Sequence, residues 1–407
     1  MNAFADIAAA IAHVDDPELA ALGPHLDFTL RLEEGREAIG VRFGDGKLSV
    51  IASGPADIVI RAGPGDWAKT QAKPPPPTFH AFTALERANS AISVEGPPLL
   101  IAQARAVLER IFELLAASPG LAPPAVQRNL GQIVGGYGAI QAEGQSFEVY
   151  AEQAGSGPPI LFLHTAGADG RQFQAQLADV ELASRHRLIA LDLPFHGRSL
   201  PPLEWDGSAY VLTQARYLTW CAAFIEQRIG EKVIVAGGSM GAAMALVLAA
   251  ERPDLVAGAI AIEPPFRAKG RRSPYQHHVA VHGGLHNAAF VRGLTGPQSP
   301  IGWRRRAAFI YAQGAPGVYQ ADLGFYSDEF DGGQVGPRID AAATPVALLC
   351  GEYDYSASPA DGAALRAVIP GALLRVMPGL GHFPMVENPD LFRPHLMAAL
   401  DHIAASS

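Results

Sequence analysis

Four side chains in this sequence have the types that nucleophilic catalysis on a carbonyl requires. Ser239 stands in Gly237-Gly238-Ser239-Met240-Gly241, a G-x-S-x-G pattern. A hydroxyl becomes a useful nucleophile only when a base takes its proton and an acid orients that base. His382, in Gly379-Leu380-Gly381-His382-Phe383-Pro384, is the candidate base. Asp354, in Gly351-Glu352-Tyr353-Asp354-Tyr355, is the candidate acid, placed to hold the far ring nitrogen and fix the tautomer. Glu263, closing Ile260-Ala261-Ile262-Glu263, is the alternative acid. Charge developing on a carbonyl oxygen needs fixed donors. The Met240 N–H is one. The loop His164-Thr165-Ala166-Gly167-Ala168-Asp169-Gly170 offers Ala166 as its partner, with Thr165 as second choice. His164 itself reads as structural. Asp192 and Arg198, in Asp192-Leu193-Pro194-Phe195-His196-Gly197-Arg198-Ser199, read as holding that loop.

These residues need a scaffold that brings distant loops to one place. Val233-Ile234-Val235-Ala236 is a buried-strand pattern, and Ala242-Ala243-Met244-Ala245-Leu246 opens a strong helix. Ser239 therefore sits at a strand-to-helix turn, where glycines allow close packing and the hydroxyl is pushed out above a sheet. The Met240 N–H then lies at a helix N-terminus, unpaired and facing developing negative charge. Apolar runs at 159–164, 187–191, 232–236, 256–262, 345–350 and 373–377 alternate with helical patterns. That pattern predicts a doubly wound, mostly parallel sheet covered on both faces. A hairpin at 133–141 and 145–152 precedes it. The glycines around His382 suggest a mobile loop over the sheet. Residues 264–343 break the rhythm and read as a helical cap.

The first 117 residues follow another plan, a small α+β domain. A helix is expected over 1–22. Four strands follow at 28–32, 38–43, 47–51 and 57–61, separated by turn signals and read as an antiparallel meander. The run Pro74-Pro75-Pro76-Pro77 must be loop, and a proline-started helix is expected over 98–115. With Gly54-Pro55-Ala56-Asp57 and Ser93-Val94-Glu95-Gly96, this part resembles the sterol-carrier-protein-2-like fold, which implies an apolar tunnel or a packing role. Residues 118–131 form a proline-rich linker, and 132–407 the second domain.

The motifs at 164–170, 192–199, 237–241, 351–354 and 381–384, in the order serine, acid, histidine, resemble the α/β-hydrolase superfamily. The resemblance spans about 132–405 and implies an α/β-hydrolase fold with Ser-Asp-His hydrolysis. Thr165-Ala166, where glycine often follows the histidine, and Phe195, where Pro-Gly-His-Gly is usual, depart from the pattern. The expected reaction is cleavage of an ester or lactone through an acyl-enzyme, with no cofactor. Carbon–carbon bond hydrolysis on the same triad, or a hydrolase-fold binding protein, are the alternatives. Aromatic residues crowd the cap, so an apolar, aromatic-compatible small molecule is the expected partner. Phe195, Tyr275, Trp303, Tyr319 and Phe383 are the expected substrate contacts.

Composition sets limits. The chain has 407 residues, 49% hydrophobic and 17% charged, with net charge −9. That describes globular domains with ample core and disfavours a nucleic-acid partner. Arg304-Arg305-Arg306 is one short basic run, read as a solvated face or anion pairing. His278, His282 and His286 recur at helical spacing, but Gly283-Gly284 interrupts them and no carboxylate completes a site, so no metal is expected. Cys221 and Cys350 read as buried thiols. The alanine-rich start carries Asp6 and no basic region, so it is not read as a secretory signal. No stretch of about 18 apolar residues exists to span a membrane. A cytoplasmic protein without membrane attachment is expected, forming a homo-oligomer through the N-terminal domain.

Overall fold

The computed structural model describes residues 3–121 and 123–406. The first helix, Ala3–Ala12, buries Phe4, Ile7 and Ile11. The single helix expected over 1–22 is broken, and its first two positions lie outside the described residues. Pro17 cannot continue a helix and instead starts a second one, Pro17–Leu22. Asp16 caps it by accepting the N–H groups of Glu18 and Leu19.

Five strands follow: β1 (Phe28–Glu34), β2 (Glu37–Gly44), β3 (Lys47–Ile51), β4 (Ile58–Ala62) and β5 (Ser93–Glu95). Their order is β3-β2-β1-β4-β5. The antiparallel meander is corrected at β4, which pairs parallel to β1, with Leu30 opposite Ile58. Between β3 and β4 the chain crosses the sheet rather than making a hairpin. Arg31 donates to the Gly54 carbonyl on the way, and Asp57 accepts from Thr29 N–H and Oγ1 at 2.8 and 2.7 Å, which fixes the register. The helix Pro98–Leu115 covers the sheet. Phe28, Phe43, Trp67, Phe82 and Phe112 interlock beneath it and fill the core.

The larger domain holds β6 (Val134–Ala142), β7 (Gln145–Ala154), β8 (Pro159–Leu163), β9 (Arg187–Leu191), β10 (Val233–Gly238), β11 (Val256–Ile262), β12 (Val346–Gly351) and β13 (Leu373–Met377). Their order is β13-β12-β11-β10-β8-β9-β7-β6. Only β7 runs against the rest, antiparallel to both β6 and β9, and the other pairings are parallel. Every residue of β8, β10 and β12 is buried, because helices cover both faces. The segment between β11 and β12 folds over the C-terminal edge of the sheet with the helices Gly283–Gly293, Ile301–Ala312 and Val318–Leu323. Among the described residues no helix is long and apolar enough to cross a membrane.

The N-terminal domain packs on this cap. Helix Gly283–Gly293 lies against Pro98–Leu115. Between them Glu113 is buried and accepts from Arg110 (3.0 Å), Arg292 (2.9 Å) and Arg304 (2.8 Å). Glu18 takes Arg292 and Arg305. The basic run thus pairs with anions, and Arg306 reaches Gln174. Burial alone would raise the pKa of Glu113, but Arg304 and Arg292 overcome that and hold it at about 2.

Removing one partner from a buried charge cluster leaves the others uncompensated. Glu113→Gln should therefore destabilise the protein by about 3–5 kcal/mol, read as a lowered urea midpoint. The folded pKa lies below the ordinary glutamate value of about 4.3, so this contribution is present above that pH and lost as pH falls toward 2. The variant should lack that part of the acid dependence.

Candidate active site

Ser239 follows β10 directly, at φ 51° and ψ −107°. Its N–H donates to Ile262 O at 2.8 Å, and its carbonyl accepts Ala243 N–H at 2.9 Å. A Cβ at Gly237 would stand 2.0 Å from Gly241 O, and one at Gly241 would stand 2.3 Å from Leu163 O. Those two glycines let the strand, the turn and the helix Met240–Glu251 approach closely enough to hold the serine out.

His382 comes from the loop after β13. Its Nε2 lies 2.8 Å from Ser239 Oγ, and its Nδ1 lies 2.6 Å from Asp354 Oδ2. All three residues are buried. The His382 loop is pinned rather than mobile. Gly381 N–H donates to Glu387 at 2.6 Å and His382 N–H to Leu294 O at 2.9 Å. A Cβ at Gly381 would meet Leu294 O at 2.2 Å, so the glycine serves close approach. Asp354, after β12, also accepts from Ser356 and Ala357 N–H through Oδ1. Burial opposes its charge, but His382 and these bonds hold its pKa below the usual value.

Glu263, at φ 54°, accepts Gly351 N–H at 2.8 Å and does not touch His382 among the described contacts. It is fully buried, and burial followed by the neighbouring Asp354 charge pushes its pKa well above the ordinary range.

Of the two proposed partners for Met240, the geometry leaves Ala166 available. The Thr165 N–H is taken by Gln172 Oε1 at 3.0 Å, and its hydroxyl bonds to Gln172 and Tyr311, so Thr165 is withdrawn as a donor. Ala166 N–H has no protein acceptor among the described residues, and neither does Met240 N–H, the first of its helix. His164 spends Nδ1 on Thr165 O and Nε2 on Leu193 N–H, and burial with nearby His196 lowers its pKa to about 4. Asp192 accepts from Gly170 N–H and Arg198, tying the two loops together.

A tight cavity of about 50 Å³ opens at Ser239, lined by Ala166, His382 and, from the cap, Tyr311, Tyr319 and Tyr326. Any substrate entering it touches most of the wall. Tyr319 and Phe383 line it as expected. Phe195, Tyr275 and Trp303 do not. Phe195 packs against Trp205 and Tyr210, Tyr275 against His278, and Trp303 lies under Arg128 and Arg306. The three cap histidines also part company. His278 accepts Ala280 N–H, His282 caps helix Gly283–Gly293, and His286 is buried against Ala102 O. Among the described residues no group of three or more His, Cys, Asp or Glu is placed to hold a metal.

The model of the alpha/beta hydrolase family matches residues 160–394, more than half of the chain. The chain belongs to that family. This alpha/beta hydrolase is 27% identical over 248 residues to the dihydrolipoyllysine-residue acetyltransferase component of the acetoin cleaving system of Cupriavidus necator, covering 60% of this chain and 63% of that protein. It thus spans less than two thirds of that relative's length. Among solved structures it is similar to a thermophilic esterase from Thermogutta terrifontis, with TM-score 0.57 and 22% identity over 66% of this chain and 99% of that one. It is also similar to the enol-lactonase of Burkholderia xenovorans LB400, with TM-score 0.56 and 18% identity over 65% and 100% of the two chains. At such identities the likeness is one of fold.

Several residues of this hydrolase's site carry no local signature. Asp322 of the cap accepts Gly167 N–H at 2.7 Å, His196 Nε2 at 2.8 Å and Tyr210 OH at 3.1 Å, so it ties the cap to the loop carrying Ala166. Burial opposes a charge on His196, but Asp322 outweighs it and raises its pKa. Arg87, Arg271, Gln276 and Tyr355 also line the cavity, and Arg87 comes from the N-terminal domain.

The geometry discriminates between the acids. Asp354→Asn should lower kcat by about 10⁴-fold, the loss expected when the histidine is left in the wrong tautomer. Glu263→Gln leaves the His382–Asp354 bond in place and keeps an oxygen to accept Gly351 N–H, so its cost should be at most about 10–100-fold. Measured kcat for both, with folding checked by circular dichroism, decides; a dead Glu263→Gln beside an active Asp354→Asn would give the role to Glu263.

Proposed function

We propose that this protein is a serine hydrolase that cleaves an ester or lactone through an acyl-enzyme. The observation that carries this reading is the hydrogen-bonded chain from Ser239 Oγ through both nitrogens of His382 to Asp354. Ser239 attacks the carbonyl carbon as His382 takes its proton. Met240 N–H and Ala166 N–H receive the oxyanion. The tetrahedral species collapses, and protonated His382 gives its proton to the departing alkoxide. A water, deprotonated by His382, then attacks the acyl-enzyme and releases the acid with Ser239 restored. Asp354 supports the imidazolium at both stages. The aromatic wall of Tyr311, Tyr319, Tyr326 and Phe383 supports a substrate with apolar or aromatic parts around that carbonyl.

The N-terminal domain, read as sterol-carrier-protein-2-like, has a core filled by its own aromatics, which favours a packing role over a carrier role. Its edge strand β3 leaves Val50 and Ile51 exposed, which supports self-association there. The free, buried Cys221 and Cys350 suit a cytoplasmic setting.

Ser239→Ala should reduce kcat toward p-nitrophenyl esters and lactones by about 10³-fold or more with the fold intact. Stopped-flow release of p-nitrophenol should show a burst in the wild type that the variant lacks. A folded alanine variant with near wild-type turnover would sink the serine mechanism, and a wild type without turnover would point to a binding protein.

A further inference from the structure

The hydrogen-bonding balance of the cavity is uneven. Residues 267–272 carry three arginines. Arg267 pairs with Asp331 and Arg272 with Asp328 at the surface. Arg271 instead lines the cavity that holds Ser239. Its Nη2 donates to the carbonyls of Tyr355 (3.2 Å) and Ser356 (2.8 Å), which carry no charge, and its buried Nε has no acceptor. Among the described residues it forms no salt bridge.

Arg87 lines the same cavity from helix Phe82–Ala88 of the N-terminal domain and lies over the Phe290 ring. Its one acidic neighbour is Glu86, 3.7 Å away, and Glu86 is shared with Arg105 at 2.8 Å. Burial and the repulsion of Arg105 both lower the pKa of Arg87, as expected of a cation short of a counter-charge. Two hydroxyls complete the set. Tyr326 OH lies close to Ser239 and Ser356 but in hydrogen-bond geometry with neither, and Tyr355 OH is likewise buried without a partner. The nearby acids are already committed: Asp354 to His382, and Glu109 to Phe82 and Thr83. The residues lining the cavity therefore include two guanidiniums short of a counter-charge and two phenols without partners among the described residues.

An acceptor-only group of negative charge satisfies all four. A carboxylate offers about four lone-pair sites and matches the fork of a guanidinium. We infer that the substrate carries a carboxylate, gripped between Arg271 of the cap and Arg87 of the N-terminal domain while Ser239 attacks its ester or lactone carbonyl. This rests on the serine-hydrolase reading for its second half only. It makes the N-terminal domain part of the substrate site, with Arg87 and Arg271 as specificity-determining residues. The aromatic wall then packs the carbon skeleton between the two ends.

The test compares p-nitrophenyl monoesters of succinic, glutaric and adipic acids with the neutral esters of matched length. In the wild type kcat/KM should favour the best acid ester over its neutral partner by about 10-fold or more, mainly through KM. Arg271→Gln and Arg87→Gln should each erase most of that ratio, and Arg271→Lys should restore part of it by returning the charge. A wild-type ratio at or below unity, or a ratio that neither Gln variant moves, overturns the proposal. Calorimetric titration of Ser239→Ala with succinate, glutarate and adipate separates the two readings, since it needs no turnover. Binding of one diacid, lost on adding Arg271→Gln, upholds the carboxylate site even if no ester is hydrolysed. Hydrolysis without acid preference and without diacid binding leaves the hydrolase and removes the site.

Discussion

A non-glycine residue at φ 51° and ψ −107° is costly, of order 1–3 kcal/mol, and persists only where its surroundings leave no alternative. The larger domain meets that condition at Ser239 from three sides. β10 is clamped between β8 and β11 in the middle of the sheet. The serine N–H reaches across to Ile262 O, so the end of β11 fixes the turn. The following helix is buried along ten of its twelve residues, so its first turn cannot lift away. The strain is thus held by packing that the domain needs anyway, and the hydroxyl is delivered to the one place where two other loops meet it.

Those loops are held as firmly, by buried carboxylates. Glu387 accepts from Gly381 N–H, Gly296 N–H and Ser299, which joins the His382 loop to the cap. Asp322 joins the cap to the Gly167 turn, and Asp192 joins that turn to the chain after β9. Glu113 then joins the cap to the N-terminal domain through Arg292 and Arg304. Each carboxyl satisfies several buried donors at once, so few polar groups are left unpaired away from water. The tethers thus run from the loops carrying His382 and Ala166 through the cap to helix Pro98–Leu115 of the N-terminal part.

How far the sequence could be read follows from the range of the interactions. The turn around Ser239 is local: a β-branched run, glycines and an alanine-rich helix lie within twenty residues, and the strand–turn–helix is legible there. The loops bearing His382 and Asp354 are legible because each follows an apolar strand. What is not legible depends on which partner each group meets in space. Thr165 was a reasonable donor until Gln172, seven residues on, took its N–H. The cap aromatics could not be sorted, since Tyr319 and Trp303 have similar surroundings in sequence and opposite ones in space. β4 alternated like its neighbours, and alternation does not say which side of β1 a strand will join. Arg87 and Arg271 lie 184 positions apart and carry no motif.

The two acids near His382 show how the fold decides what spacing leaves open. Glu263 and Asp354 both end strands beside β10's loop, and both are buried. Two adjoining carboxyls in so dry a place cannot both ionise cheaply. Asp354 has the histidine and two backbone N–H groups to stabilise a charge, whereas Glu263 has the single N–H of Gly351. The pKa of Asp354 is accordingly held below the usual value, and burial beside the Asp354 charge pushes that of Glu263 well above it. The carboxylate facing His382 Nδ1 is thus the one whose surroundings favour a charge, and the carboxyl facing Gly351 N–H is the one whose surroundings oppose it.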